Sequence, residues 1–152
     1  KGKNKHIFIY KHRPNYTLGN KSYEDVEGTE TKMTKLFDKY SVTAVFSGHD
    51  HIYYRTKRNN TNYIISAGAG ASIYSLKREK DAIEGDAFYG KRIEKEIEEG
   101  KAPYKFQATD GTVTDLQEAM YYVLSVKIDG EKVYIEMIDQ KTGKIWDKAT
   151  IK

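Results

Sequence analysis

The stretch Leu36-Phe-Asp-Lys-Tyr-Ser-Val-Thr-Ala-Val-Phe-Ser-Gly-His-Asp-His-Ile-Tyr-Tyr-Arg55 decides how this chain is read. It opens inside an amphipathic helix: Met33, Leu36, Phe37 and Tyr40 fall at i, i+3, i+4 and i+7, which is one apolar stripe. Thr29 is placed to cap that helix, with Gly28 at its outer boundary. Val42 to Phe46 then reads as a short apolar strand, and it ends in Ser47-Gly48-His49-Asp50-His51.

The same logic extends outward. Lys5 to Lys11 is β-branched and aromatic and is stopped by Pro14, so it reads as a buried strand; residues 12–22 follow as a loop. Residues 52–57 and 62–66 read as two arms of a hairpin across Lys57–Thr61. The run of small residues at 67–72, Ala-Gly-Ala-Gly-Ala-Ser, lacks the Gly-Lys-Ser/Thr of a phosphate loop and reads as closely packed backbone. Tyr89, Ile93 and Ile97 are spaced by four and Gly100 follows them, so 77–100 reads as a charged surface helix over one edge. Strands at 121–128 and 131–139 flank the turn signal Asp129-Gly130, and Lys144 to Thr150 forms a last strand after Thr142-Gly143.

A length of 152 residues fits one domain, 1–152. The absence of cysteine excludes disulfides, thiolate zinc sites and a cysteine nucleophile. No apolar run is long enough to span a membrane. Residues 1–20 carry Lys1, Lys3, Lys5, Lys11 and Arg13 and no acid, whereas 79–99 carry eight acids against four bases. A nucleic-acid binder would spread its basic charge along its body. An excess at one end suits an anion-handling site better. No signal-type segment follows Lys1, so any targeting signal is expected upstream, and a secreted or cell-surface bacterial setting fits as well as any other.

There are four histidines, His6, His12, His49 and His51. Three sit just past the C-terminal end of an expected strand, the edge where open α/β sheets bind ligands. If the strands are neighbours, His12, His49 and His51 share one rim. In an extended chain His49 and His51 would point to the same side, about 7 Å apart, a spacing suited to two adjacent metal ions. Gly48 would relax the backbone before them. Metal binding and an ordinary surface role are equally compatible with spacing alone.

The quoted stretch resembles the calcineurin-like metallophosphoesterases, closest to their purple acid phosphatase-like branch. That family joins a helix and a short apolar strand to Gly-His-x-His, often followed by Tyr-x-Arg. Gly48, His49, His51, Tyr53 or Tyr54, and Arg55 fill that pattern. Ile7 to Tyr10 followed by His12-Arg13-Pro14 is similar to the family's upstream strand and histidine, and Tyr63-Ile-Ile-Ser-Ala-Gly-Ala69 to a downstream strand. The resemblance covers 5–75 well and 119–150 loosely; 77–115 matches nothing in the family and is expected to be an insertion.

The resemblance implies an α/β (α+β) chain forming the C-terminal half of a four-layer α/β/β/α sandwich, with a mixed sheet and a terminal β-meander. It implies two divalent or trivalent metal ions (iron, zinc or manganese), with His12 and His49 on one and His51 on the other. A metal-activated water would hydrolyse a phosphate mono- or diester. Arg13 and Tyr16 are placed to contact the substrate phosphate, and Asp50 to support the ligands. The family's first half has no counterpart: Asp-x-His is absent, Gly85-Asp86 lacks a second aspartate, and Gly19-Asn20 is followed by Lys21 rather than histidine. The expected partners are therefore the N-terminal half of the same domain and, through an exposed sheet edge, a second copy. The chain alone is expected to be inactive. The competing reading is a non-catalytic binding or structural module that keeps the fold.

Overall fold

The computed structural model describes residues 5–19 and 27–151. Its elements, in chain order, are β1 (Phe8–Lys11), α1 (Glu27–Lys39), β2 (Ala44–Ser47), β3 (Tyr53–Arg58), β4 (Thr61–Ser66), a short 3-10 turn (Glu79–Asp81), β5 (Ala87–Lys91), α2 (Glu94–Glu98), β6 (Tyr104–Gln107), β7 (Val113–Leu116), β8 (Tyr122–Asp129), β9 (Lys132–Asp139) and β10 (Ile145–Thr150). Seven strands form one sheet in the order β1-β2-β4-β3-β5-β6-β7, and three form a second in the order β10-β9-β8. β1, β2 and β4 run parallel, and the remaining pairs are antiparallel.

The expected α/β half of a four-layer α/β/β/α sandwich is not what forms. Strand outweighs helix among the described residues: ten strands lie in two sheets, with one helix of thirteen residues and one of five. The error has a physical source at 77–100. That segment is not a surface helix: Ala87–Lys91 is a strand in the interior of the large sheet, with Phe88 and Tyr89 fully buried. Its apolar residues at spacings of four coincide with a helical stripe, and a short apolar run does not discriminate strand from helix. Residues 77–115 as a whole supply β5, β6 and β7. Only Glu94–Glu98 is α-helical there, and Gly100, at φ +89°, ends that turn.

The helix at α1 begins at Glu27, so Gly28 and Thr29 lie within it rather than at its boundary. Of its stripe, Phe37 is buried and Met33 packs beside it against Val42, Val45 and Tyr63, while Leu36 and Tyr40 are exposed. β2 and β4 are covered on both faces, as central parallel strands are. Val45, Tyr63 and Ile65 look toward α1 and the overlying loops, and Ala44, Phe46 and Ile64 look toward the small sheet. The main core lies between the sheets, where Tyr53, Tyr89 and Phe106 meet Tyr122, Val133, Ile135 and Met137. Within the run at 67–72 the close packing is confined to Gly68, where a Cβ would lie 1.9 Å from the Tyr122 ring; Ala69, Gly70 and Ser72 are exposed.

One ion pair fastens the two sheets. Arg55 on β3 donates from Nε to Asp147 Oδ2 (2.6 Å) and from Nη2 to Asp147 Oδ1 (3.0 Å). Tyr53 donates its hydroxyl to the same carboxylate at 2.6 Å. Asp147 reaches the interior because the β9–β10 register shifts between Ile145 and Asp147. Strict alternation would put both on one face; the bulge turns Asp147 inward, opposite Met137. Burial pushes the Tyr53 hydroxyl well above its ordinary pKa, and the neighbouring carboxylate adds to this. Burial pulls the Arg55 guanidinium down, but its bonds to Asp147 leave it raised overall.

Asp147→Ala leaves Arg55 buried without its counter-charge and is expected to cost about 3–5 kcal/mol in chemical denaturation. Glu136→Ala removes the half-exposed pair with Lys148 (3.1 Å). That change is expected to cost about 0–1 kcal/mol. Equal losses would show that the inter-sheet pair is not the fastening.

Candidate functional site

The site grows from the parallel pairing of β1 and β2, with Lys11 opposite Ser47. Both strands end at one rim, and the loops that leave them carry His12 and His49. The Gly48 N–H donates to the His12 carbonyl (3.1 Å), which holds the two loops together just beyond the strands. His49 Nδ1 and His12 Nε2 then lie 2.9 Å apart, with the rings edge to face.

The chain is not extended through the His-Asp-His run. His49 takes φ +65°, a left-handed conformation uncommon for a residue with a side chain. The Asp50 N–H donates to the Gly48 carbonyl and the Ile52 N–H to the Asp50 carbonyl, both at 2.8 Å. These tight turns replace the extended backbone assumed for the run, and each histidine has its own partner. His51 instead meets the 71–74 segment. Its Nδ1 lies 3.0 Å from the Ser72 carbonyl, its ring stacks on Tyr74 at 4.2 Å, and its own carbonyl accepts the Tyr74 N–H. A carbonyl only accepts, so Nδ1 is the donor and the neutral ring keeps its lone pair at Nε2.

The two nitrogens of His12 and His49 are close enough to be ligands of one ion, given bonds of about 2.0–2.1 Å to zinc. Imidazole also suits iron and other first-row metals. A backbone carbonyl holding the second nitrogen of a ring, as Ser72 holds His51, is the usual support of a ligating histidine. The residues present therefore fit a metal through His12 and His49. Among the described residues no group of three or more histidine, cysteine or carboxylate side chains converges.

The other expected residues lie as follows. Arg13 is exposed beside His12. Tyr16 is half-buried, edge to face against Tyr63 at 4.8 Å and beneath the Arg58 guanidinium at 5.3 Å. Asp50 is fully buried, and its Oδ2 accepts the Thr17 hydroxyl at 2.5 Å. His6 stands apart from the rim and pairs with the Gly130 carbonyl at 3.0 Å. Of the Tyr-x-Arg residues, Tyr53 and Arg55 turn to Asp147, and Tyr54 donates to Asp86 at 2.8 Å. Lys1 and Lys3 of the basic stretch lie outside the described residues. Sequence reading missed Ser72 and Tyr74 as partners of His51 and Thr17 as the partner of Asp50. Only the small residues at 67–72, which let the chain pass close to the turn, signalled the first.

No protein-family model matches the chain. Among solved structures, it is similar to a Plasmodium protein described as GAP50, the anchor in the inner membrane complex, with a TM-score of 0.55 and 13% identity. The alignment covers 97% of this chain and 36% of that one, so this chain spans about a third of that protein's length. At that identity the likeness speaks for the fold alone. No helix among the described residues is long and apolar enough to cross a membrane.

Tyr74→Ala is expected to shift the imidazole NMR signals of His51, and Tyr74→Phe, which keeps the stack, to leave them in place. An unshifted alanine variant would show that the stack does not orient the ring.

Proposed function

We propose that this chain is part of a metal-dependent phosphoesterase that hydrolyses phosphate mono- or diesters. The observation that carries the reading is the approach of His12 Nε2 to His49 Nδ1, 2.9 Å, at the shared rim of two parallel strands. The ordered motifs His12-Arg13-Pro14 and Gly48-His49-Asp50-His51 support it from the sequence side.

On this reading His12 and His49 hold one ion, and His51, its Nδ1 committed to Ser72, offers Nε2 to another. The chemistry that bound iron, zinc or manganese would supply is charge stabilisation on the phosphoryl group and a water acidic enough to be a nucleophile. Arg13, exposed next to His12, supplies a cation for the ester's phosphate. The sequence has no counterpart of the carboxylate motifs in the family's first half that the resemblance implies. The isolated chain is accordingly inactive in this proposal, and the remaining ligands come from an N-terminal half of the same domain.

The flank beside the histidine rim is open in a way that suits such a partner. β1 is an edge strand with Tyr10 exposed. On the small sheet, Val126 and Ile128 pair across from the buried Ile135 and Val133, so they face the interior side, yet both are exposed. The large sheet ends at β1 and leaves them uncovered. A cleft of about 420 Å³ runs between Tyr10, Phe46 and Gly48 on one side and Leu124 and Val126 on the other. Gly48 belongs to both the cleft and the histidine turn, so a strand added beside β1 would also reach the site. In its absence, exposed edges pair with one another.

The second reading, a binding or structural module without catalysis, is favoured by one observation. His12 and His49 satisfy each other, and a shared proton would close the two loops as well as an ion.

Zinc calorimetry separates the readings. Binding is expected for the wild-type chain, weaker by more than about tenfold in His12→Ala and His49→Ala. His6→Ala is expected to bind as wild type, and none of these chains to turn over an aryl phosphate. A wild type without zinc affinity, or an unaffected His12→Ala, removes the metal reading. In sedimentation the chain alone is expected to self-associate with rising concentration, and the double change of Val126 and Ile128 to lysine to abolish this. A wild-type monomer across a wide concentration range counts against the open flank.

A further inference from the structure

Asp50 lies between His49 and His51 and is fully buried. Its Oδ2 accepts the Thr17 hydroxyl, and Thr17 Oγ1 in turn accepts the Gly19 N–H at 2.9 Å. The Gly19 backbone sits directly against the carboxylate, since a Cβ there would lie 2.7 Å from Oδ2. Asp50 Oδ1 is buried and has no hydrogen-bond partner. Each half-satisfied buried carboxylate lowers stability. A residue serving stability alone is poorly chosen here.

The contact joins two loops. One begins at His12 after β1, and the other carries Gly48 to Ile52 after β2. They meet at the near end through the Gly48 N–H and the His12 carbonyl, and at the far end through Thr17 and Asp50. Leu18 in the core and Tyr16 against Tyr63 also anchor the loop from His12, but the Thr17–Asp50 bond is the one that ties it by a side-chain hydrogen bond to the residue between His49 and His51. We infer that the Thr17–Asp50 hydrogen bond is a positioning device that fixes His12 against His49. Asp50 and Thr17 are positioning residues in this scheme, and neither touches the substrate or the ion. The inference rests on the metal-binding reading above for its consequence, but the geometry it asserts belongs to the metal-free chain.

The test pairs Thr17→Val with Thr17→Ser in the whole 152-residue chain. Valine keeps the shape and loses the hydroxyl; serine restores the hydroxyl. Zinc affinity is expected to fall about tenfold or more in the valine variant and to return in the serine variant, as for supports of ligating histidines. Asp50→Asn, whose amide oxygen still accepts, is expected to bind zinc as wild type does, and Asp50→Ala to match Thr17→Val. The metal-free chain gives an independent readout. The imidazole NMR signals of His12 and His49 shift in Thr17→Val and return in Thr17→Ser, while those of His6 stay fixed.

Wild-type affinity in Thr17→Val, or no recovery in Thr17→Ser, overturns the inference. If the wild type takes up no zinc, the metal reading fails and the histidine signals alone decide. Unmoved signals in Thr17→Val then sink the positioning role as well. If Thr17→Val does not fold, Asp50→Asn against Asp50→Ala decides by the same two readouts.

Discussion

The contact between Arg55 and Asp147 is the constraint around which the two sheets are arranged. It places a bidentate ion pair inside an otherwise apolar core of aromatic and aliphatic side chains, with Tyr53 as a third partner. A buried charge pair adds little over a well-packed apolar one, but each partner is costly without the other. The pair therefore specifies which face of β3 meets which residue of β10 more than it adds stability. Thr109 extends the network by accepting from Arg55 Nη2 at 2.6 Å, which links the β6–β7 connection to the same point.

From that fastening the histidine rim gains a stiff base. Tyr122, on β8, lies against Gly68 and donates its hydroxyl to the Ile52 carbonyl at 2.8 Å, just behind the His-Asp-His turn. The small sheet thus supports the turn from below, while β1 and β2 present it from the side. The left-handed backbone at His49 persists because its neighbours over-determine it: the Gly48 N–H, the Asp50 N–H and the Ile52 N–H are all committed. Local strain of this kind is held by surrounding structure and is compatible with a preorganised pair of imidazoles.

How much of this the sequence discloses depends on whether the deciding interaction is local. Asp129-Gly130 and Thr142-Gly143 are self-contained turn signals, with Gly130 at φ +62° and Gly143 at φ +72°, and the meander they define is present. The strands around Ile9 and Val45 and the hairpin about Asn59 were legible for the same reason. The segment at 87–91 was not, because its strand character comes from pairing with β3 and β6 rather than from its own pattern. Misreading it carried over to the architecture, since an α/β sandwich needs helical layers that this chain spends on strands. At the site, the meeting of His12 and His49 followed from strand order. The contacts of His51 did not, because they depend on a left-handed residue at His49 and on the approach of Ser72. Nor did Asp147, whose inward direction comes from a bulge that alternation conceals.

Arg55 and its carboxylate stand 92 residues apart in the chain. During synthesis the large sheet's central hairpin emerges long before β10, and its guanidinium then faces the forming interior without a counter-charge. Closure of the two layers waits for β10, so the core is not completed stepwise from β1 onward. In a chain interrupted before Ile145, closing the core would desolvate Arg55 without its carboxylate. Such a chain would stay open, and the cell's proteases and chaperones would meet it in that state.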